Sequence, residues 1–360
     1  MNSGKFQIHA SASGRVNLIG EHTDYNGGFV LPTAIPQKTH VQLSPRTDNR
    51  VNVKSGTVEK NISEAQYLLG EEEPKSHWLD YVQGVTAILA KDGIKISGFD
   101  CEIQSTVPMG SGLSSSAALE VSLFRAIREA FQLDLNDVSI AQLCQRVENE
   151  FVGARVGIMD PMAASLADLG TALFLDTRDL SYRKVALPKN VDLVVINSGI
   201  SHRNVGGDYN TRRAECEKAC EILGISQLRD FGPNDLPKLE KLPDVNRRRA
   251  KHVITENERV LKAVQAMESE NLALLGALFY ESHASMKNDY EVSIPEIDEM
   301  VEIARSLPEV YGARLTGGGF GGSVVILTKK GYGFESGKKI SGIYATKTGK
   351  TPTVLVPQHG

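Results

Sequence analysis

The chain has 360 residues, 40 Lys and Arg against 44 Asp and Glu, a formal net charge of −4, and 41% hydrophobic residues. That length holds two domains or one large one, and the composition excludes a disordered chain. The slight acidity argues against a nucleic-acid surface, and no apolar run approaches the about 18–20 residues that span a bilayer. Met1 to Ala12 carries neither a signal-peptide core nor an Arg-rich transit pattern, so the cytoplasm is the expected location and no membrane partner is expected.

In chain order, alternating or apolar runs predict strands at Thr39–Leu43, Arg50–Lys54 and Phe99–Ser105. Helical periods follow at Ser114–Phe131 and Ser139–Phe151, where Ile140, Leu143, Cys144, Val147 and Phe151 share one face. Strands return at Leu173–Asp176 and Leu193–Asn197. Helices are predicted over Thr211–Leu223, Arg247–Glu268, Leu272–Met286 and Pro295–Ser306. The last opens on a proline whose missing N–H costs little in a first turn. A final strand covers Ser323–Leu327. Without strict βαβ alternation, the pattern favours α+β over a doubly wound sheet. The charged, proline-bearing stretch Ser181–Asn190 marks an approximate boundary between domains 1–185 and 186–360. Cys216 and Cys220 are four apart, in phase with Ile222 and Leu223. They read as small buried residues rather than a disulfide or a zinc pair.

Three glycine-bearing segments stand out. The first runs from Gly14 to Gly28, G-R-V-N-L-I-G-E-H-T-D-Y-N-G-G. An Asn26-Gly27 turn between strands would explain its end. It would not explain Glu21-His22-Thr23-Asp24, where two carboxylates and an imidazole suit a ligand rich in hydroxyls. The second runs Pro108-Met109-Gly110-Ser111-Gly112-Leu113-Ser114-Ser115-Ser116-Ala117-Ala118, after a strand and into a helix. Its glycines free backbone N–H groups to converge, and the helix start adds partial positive charge, so it reads as a phosphate cradle. One serine would serve as a cap; three call for more. The third, Thr316 to Ser323, matches G-x-G-x-x-G through Gly317, Gly319 and Gly322. It precedes a strand, whereas a dinucleotide fingerprint opens a helix, so it reads as a turn between a helix and a strand. Gly349-Lys350-Thr351 fails as a P-loop because Tyr344 stands at the first glycine position.

Together these segments resemble the galactokinase branch of the GHMP small-molecule kinases. His77 to Val85, Glu148 through Asp160, Asn197-Ser198-Gly199, Tyr209 to Cys216, Arg247 to Arg259 and Ser282 through Val292 extend the likeness over nearly the whole chain. The resemblance implies two α+β domains with the active site in the cleft between them. It implies transfer of the ATP γ-phosphoryl group to the anomeric hydroxyl of galactose. Asp160 then takes the catalytic carboxylate position and Arg15 that of its basic partner. Glu21, His22, Asp24, Gly157 and Tyr209 match sugar-binding positions. Gly110, Ser111, Gly112, Leu113, Ser114, Ser115, Ser116 and Ala117 match the phosphate loop, and Trp78 the residue beside adenine. Ser116 and Glu148 match Mg2+ positions.

The chemistry is compatible with these roles. A loose phosphoryl-transfer transition state asks for positioning and charge neutralisation, so a weak base such as Asp160 suffices late in the reaction. Glu148 lies four residues after Cys144, at the edge of a buried helix face; without the likeness it reads as a solvated Glu. Trp78, the single Trp, reads equally as a core aromatic. The chain departs from the family at Ser13, Ser323 and Pro161, the last standing where Gln is usual. Proline disfavours a helical backbone at the residue before it, here Asp160. The segment from Lys38 to Trp78 is short for the family. Sugar and ATP are the expected partners; the oligomeric state is open, with a monomer the simpler expectation. The alternatives are a kinase for N-acetylgalactosamine, arabinose or a uronic acid, and a non-catalytic sugar sensor. The intact Ser114–Ala118 run, Arg15 and Asp160 argue against the sensor.

Overall fold

The computed structural model describes residues 8–56, 62–200 and 205–356. Its strands are β1 (Ile8–Asn17), β2 (Phe29–Val30), β3 (Pro32–Pro45), β4 (Arg50–Gly56), β5 (Ile62–Leu68), β6 (Phe99–Ser105), β7 (Thr171–Asp176), β8 (Tyr182–Ala186), β9 (Val191–Asn197), β10 (Val310–Thr316), β11 (Ser323–Lys329) and β12 (Thr353–Val356). Its α-helices are α1 (Asp80–Lys91), α2 (Ser115–Phe131), α3 (Asp137–Arg146), α4 (Met159–Leu166), α5 (Val205–Leu223), α6 (Asp244–Glu268), α7 (Leu272–Ser285), α8 (Pro295–Arg305) and α9 (Gly333–Thr348). The chain forms two compact units. The first comprises Met1–Arg15, Ile35–Met109 and Ser114–Leu166; the second comprises Val16–Ala34, Gly110–Leu113 and Ala167–Gly360.

In the first unit β6 pairs antiparallel with β3 and parallel with β4, and β5 closes on β4. The parallel pair needs a long crossover, and β5 with α1 supplies it. Apolar alternation on β3, β4 and β6 puts Val41, Leu43, Val53, Cys101 and Ile103 into one core, against Phe124 and Ile127 of α2 and Ile140 of α3. Phe99 and Phe124 are fully buried. Each such side chain contributes about 1.5–3 kcal/mol of hydrophobic stabilisation.

In the second unit four antiparallel strands run in the order β10-β11-β9-β12. Val194, Ile196, Leu315, Val324 and Ile326 pack with Ala250, Val253 and Ile254 of α6 and with Ile297, Met300 and Val301 of α8. Gly276 of α7 and Gly312 of β10 let this helix and strand touch, since a Cβ on Gly276 would stand 2.0 Å from the Tyr311 carbonyl oxygen. That contact brings the later turns of α7 alongside Arg314. The expected boundary stretch 181–190 contains β8, whose residues are mostly exposed. Cys101, Cys144 and Cys216 are buried and Cys220 partly so; all four are free thiols. Among the described residues, no helix is long and apolar enough to cross a membrane.

Candidate active site

One cluster belongs to the first unit. Arg15, near the end of β1, donates from Nε to Asp160 Oδ1 at 2.7 Å, with a second guanidinium nitrogen 2.6 Å from the same oxygen. Arg15 is buried, whereas Asp160 is 35% exposed, so the carboxylate is held from behind and reachable from outside. Asp160 lies in the first turn of α4 in spite of the following Pro161. First-turn N–H groups have no partner within a helix, so the proline removes no helical hydrogen bond there. The expected bias against a helical Asp160 is overridden by this placement. Gly157 lies buried three residues earlier.

Glu148 sits in a π-helical segment, Val147–Val152, that continues α3. It is buried, and burial is the main cause that pushes its pKa up to about 7. A hydrogen bond from Ser116 in the first turn of α2 opposes the shift, and the charge of Asp160 adds to it. Glu120, one turn beyond Ser116, is fully buried with neither carboxylate oxygen hydrogen-bonded. Burial, then the charge of Glu148, raises its pKa well above the usual carboxylate range. Among the described residues no group of three or more His, Cys, Asp or Glu is arranged around a metal position. One hydroxyl and one carboxylate nevertheless form a fitting donor set for Mg2+, which keeps several waters and substrate oxygens. Trp78 is half-buried against the core of this unit, its ring 5.5 Å from that of His77.

The segment before α2 has left-handed backbone at Gly110, Gly112 and Ser114, with φ of 66°, 74° and 60°. Alternating left-handed residues turn successive N–H groups to one side, as an anion nest requires. Ser114 is strained there, because side chains rarely adopt that conformation. Its hydroxyl is buried, makes no hydrogen bond and does not cap the helix. Ser111 is buried and Met109 is 66% exposed.

The second cluster lies in the second unit. Glu21 is 1% exposed and fully engaged. Its carboxylate accepts from Asn17 Nδ2 at 2.8 Å, from the Gly317 N–H at 2.9 Å, and from Arg314. Burial raises its pKa, while Arg314 and the Gly317 N–H pull it back. Arg314 is wholly buried; it also donates to the carbonyls of Asn17 (3.1 Å) and Leu18 (2.8 Å) and to Ser282 of α7 (3.2 Å). Gly20 N–H meets Glu256 of α6 at 2.9 Å. The turn that carries Glu21, His22 and Asp24 is therefore fixed from α6, α7 and β10.

His22 follows with φ of 62°, a conformation steadied by Asn26 Nδ2 donating to its carbonyl at 2.9 Å. Its ring is buried, 4.7 Å from Tyr290 and 5.5 Å from Tyr209. Burial chiefly, then His252 and Arg212, lowers its pKa to about 3, so the ring is neutral. Nδ1 is 2.8 Å from the Tyr25 hydroxyl, and Nε2 has no hydrogen-bond partner. Asp24 is half-buried and opens a short 3₁₀ turn, Asp24–Asn26, that Gly27 ends in the left-handed region. The third glycine segment joins β10 to β11, two strands rather than a helix and a strand. It donates its Gly317 N–H to Glu21 and its Phe320 N–H to the Val292 carbonyl at 2.6 Å.

Sequence reasoning missed Glu120, Tyr25, Tyr290 and Arg314. Glu120 was marked by its four-residue offset from Ser116, and Arg314 by a charge inside the otherwise apolar run of β10. Tyr290 carried no local signal.

The chain matches three family models: the galactokinase galactose-binding signature over residues 3–45, the GHMP kinases N terminal domain over 80–168, and the GHMP kinases C terminal over 263–333. It is 44% identical to the galactokinase of Chloroflexus aggregans, covering 98% of this chain and 91% of that one. It is 42% identical to the galactokinase of Streptomyces coelicolor, covering 97% and 92%. Its structure is similar to Lactococcus lactis galactokinase complexed with galactose, with a TM-score of 0.90 at 31% identity over 96% of this chain and 92% of that one. Methanococcus jannaschii mevalonate kinase shares the fold, with a TM-score of 0.69 at 19% identity over 98% of each chain. With such likeness running nearly end to end, the chain belongs to the galactokinase family of GHMP kinases.

Proposed function

We propose that the protein transfers the γ-phosphoryl group of ATP to the anomeric hydroxyl of galactose, giving α-D-galactose 1-phosphate and ADP. The observation that carries this reading is the Arg15–Asp160 pair, a carboxylate held by a buried guanidinium yet open to a ligand. Glu21, His22, Asp24, Gly157 and Tyr209 receive the sugar, with Glu21 also anchoring the turn through Arg314.

Asp160 orients the attacking hydroxyl and accepts its proton late, when the bond to phosphorus is forming. Arg15 keeps Asp160 in place and offsets negative charge near the transferring group. The left-handed backbone at Gly110, Gly112 and Ser114 supports a role for segment 110–117 in receiving the nucleotide phosphates through its N–H groups. Trp78 lies beside the base. Ser116 and Glu148 would hold Mg2+; their mutual hydrogen bond and the burial of Glu148 support that pairing. Mg2+, when bound, neutralises charge on the nucleotide phosphate oxygens.

A panel of aldoses with ATP, read by ADP release, tests the proposal. Galactose should give the highest kcat/KM, and a clear preference for N-acetylgalactosamine, arabinose or a uronic acid would overturn it.

A further inference from the structure

We propose that three side chains of α6, His252, Glu256 and Asn257, set the affinity for sugar by clamping the main chain of the turn that carries Glu21, His22 and Asp24, without touching the sugar themselves. His252 Nε2 lies 3.1 Å from the Glu21 carbonyl oxygen. The Gly20 N–H donates to Glu256 Oε1 at 2.9 Å, and the Phe29 N–H donates to Asn257 Oδ1 at 2.8 Å. The main-chain partner fixes the direction of each bond, because an amide N–H only donates and a carbonyl oxygen only accepts. The hydrogen of the first contact therefore sits on Nε2. His252 and Glu256 are fully buried and Asn257 is 6% exposed, so water does not compete for these main-chain groups.

Two glycines allow so close an approach. A Cβ on Gly20 would stand 2.9 Å from Val260 Cγ2 of the same helix, and one on Gly28 would stand 2.4 Å from Asn257 Oδ1. Gly20 also has φ of 104°, a conformation that strains any residue with a side chain. His252, Glu256 and Val260 are spaced four apart, which lines them along one face of α6. The turn is closed on itself as well. Thr23 Oγ1 lies 2.9 Å from the Gly20 carbonyl oxygen and 2.6 Å from that of Phe29. Gly20 and Phe29 are thus neighbours at the neck of a loop, and α6 holds both sides of that neck.

The clamp is itself held in place. Glu256 accepts from Ser282 of α7 at 2.6 Å and from Arg259 at 2.7 Å, and His252 Nδ1 lies 2.9 Å from Ser285 Oγ of α7. A turn already fixed in its binding geometry loses none of the sugar's binding free energy to ordering. His252, Glu256 and Asn257 are positioning residues in this account. The clamp stands on the contacts alone, whereas its consequence for sugar affinity rests on the galactose reading above.

The test is a kinetic split in variants of the full chain. His252→Leu removes the donor to Glu21, and Asn257→Leu removes the acceptor for Phe29 on the other side of the neck. Each should raise KM for galactose about tenfold and leave KM for ATP within about twofold of wild type. His252→Gln, whose amide nitrogen reaches the place of Nε2, should recover most of the loss. A KM for ATP that rises in step with that for galactose overturns the proposal, as does a wild-type galactose KM in both leucine variants. Equal galactose KM values in His252→Gln and His252→Leu overturn the donor role of Nε2.

Amide hydrogen exchange of the wild-type chain without ligand decides the clamp even if a variant fails to fold. The Gly20 and Phe29 N–H groups should be protected as strongly as those in the middle of α6. Exchange of either at the rate of an open loop overturns the clamp. A wild-type protein that phosphorylates another aldose in preference to galactose counts against the galactose reading instead, and the same KM split is then read on that aldose.

Discussion

Arg15 grips one oxygen of Asp160 with two nitrogens, at 2.7 and 2.6 Å, while the carboxylate stays 35% exposed. Asp160→Asn keeps the shape and removes the acceptor. It should lower kcat by roughly 10²–10⁴-fold while KM for the sugar changes only a few-fold. Steady-state kinetics check this, and wild-type turnover in the variant would remove Asp160 from the proton path.

Glu148 and Ser116 make a prediction about metal. Glu148→Gln keeps the volume and removes a charge that Mg2+ would share. The Mg2+ concentration at half-maximal rate should rise severalfold, measured at saturating ATP. An unchanged Mg2+ dependence would take Glu148 out of the donor set.

The Arg314–Glu21 pair is buried on both sides. Removal of one member of such a pair leaves the other charge uncompensated, at about 3–5 kcal/mol. Arg314→Met should lose stability on that scale in urea unfolding, and Glu21→Leu added to it should recover part of the loss. A loss below about 1 kcal/mol, within the usual range for surface changes, would contradict the buried-network account.

These buried groups also separate what the residues disclose from what they hide. The phosphate-loop helix and Phe99–Ser105 appeared where local pattern is strong, in a serine-led helix and an alternating strand. β8 was read as a boundary because its side chains are mostly exposed, so no apolar alternation marks it. α4 escaped because it is short and buried over most of its surface, which weakens the helical period; α1 keeps a helical period as clear as that of α2 and was overlooked. The Arg15–Asp160 separation of 145 positions and the Tyr25–Tyr290 separation of 265 are set by tertiary packing. Only the likeness to a family pointed to the first, and nothing pointed to the second.

Acid sensitivity follows from two buried histidines, His22 and His252, that burial keeps neutral. His22 is lowered to about 3 and His252 to about 4, both chiefly by burial, from an ordinary value of 6.5. The unfolded chain therefore binds protons that the folded chain refuses. Their stabilising contribution is complete above pH about 6.5 and is lost as pH falls toward those lower values. Glu148 acts in the opposite sense: its contribution is complete below about 4.5 and is lost as pH rises through about 7. The informative quantity is thus a difference. Between pH 7 and 5, His252→Asn should lose less stability than wild type in chemical unfolding. Equal losses would contradict the assignment.

The most direct test of the account identifies the bond made. The protein is incubated with galactose, ATP and Mg2+, and the product is examined by phosphorus–proton correlation NMR. The account expects phosphorus coupled to the anomeric proton of an α-galactopyranosyl phosphate, formed one for one with ADP and greatly diminished in Asp160→Asn. Phosphorus coupled to the C6 protons, or ADP formed with no sugar phosphate, would contradict it.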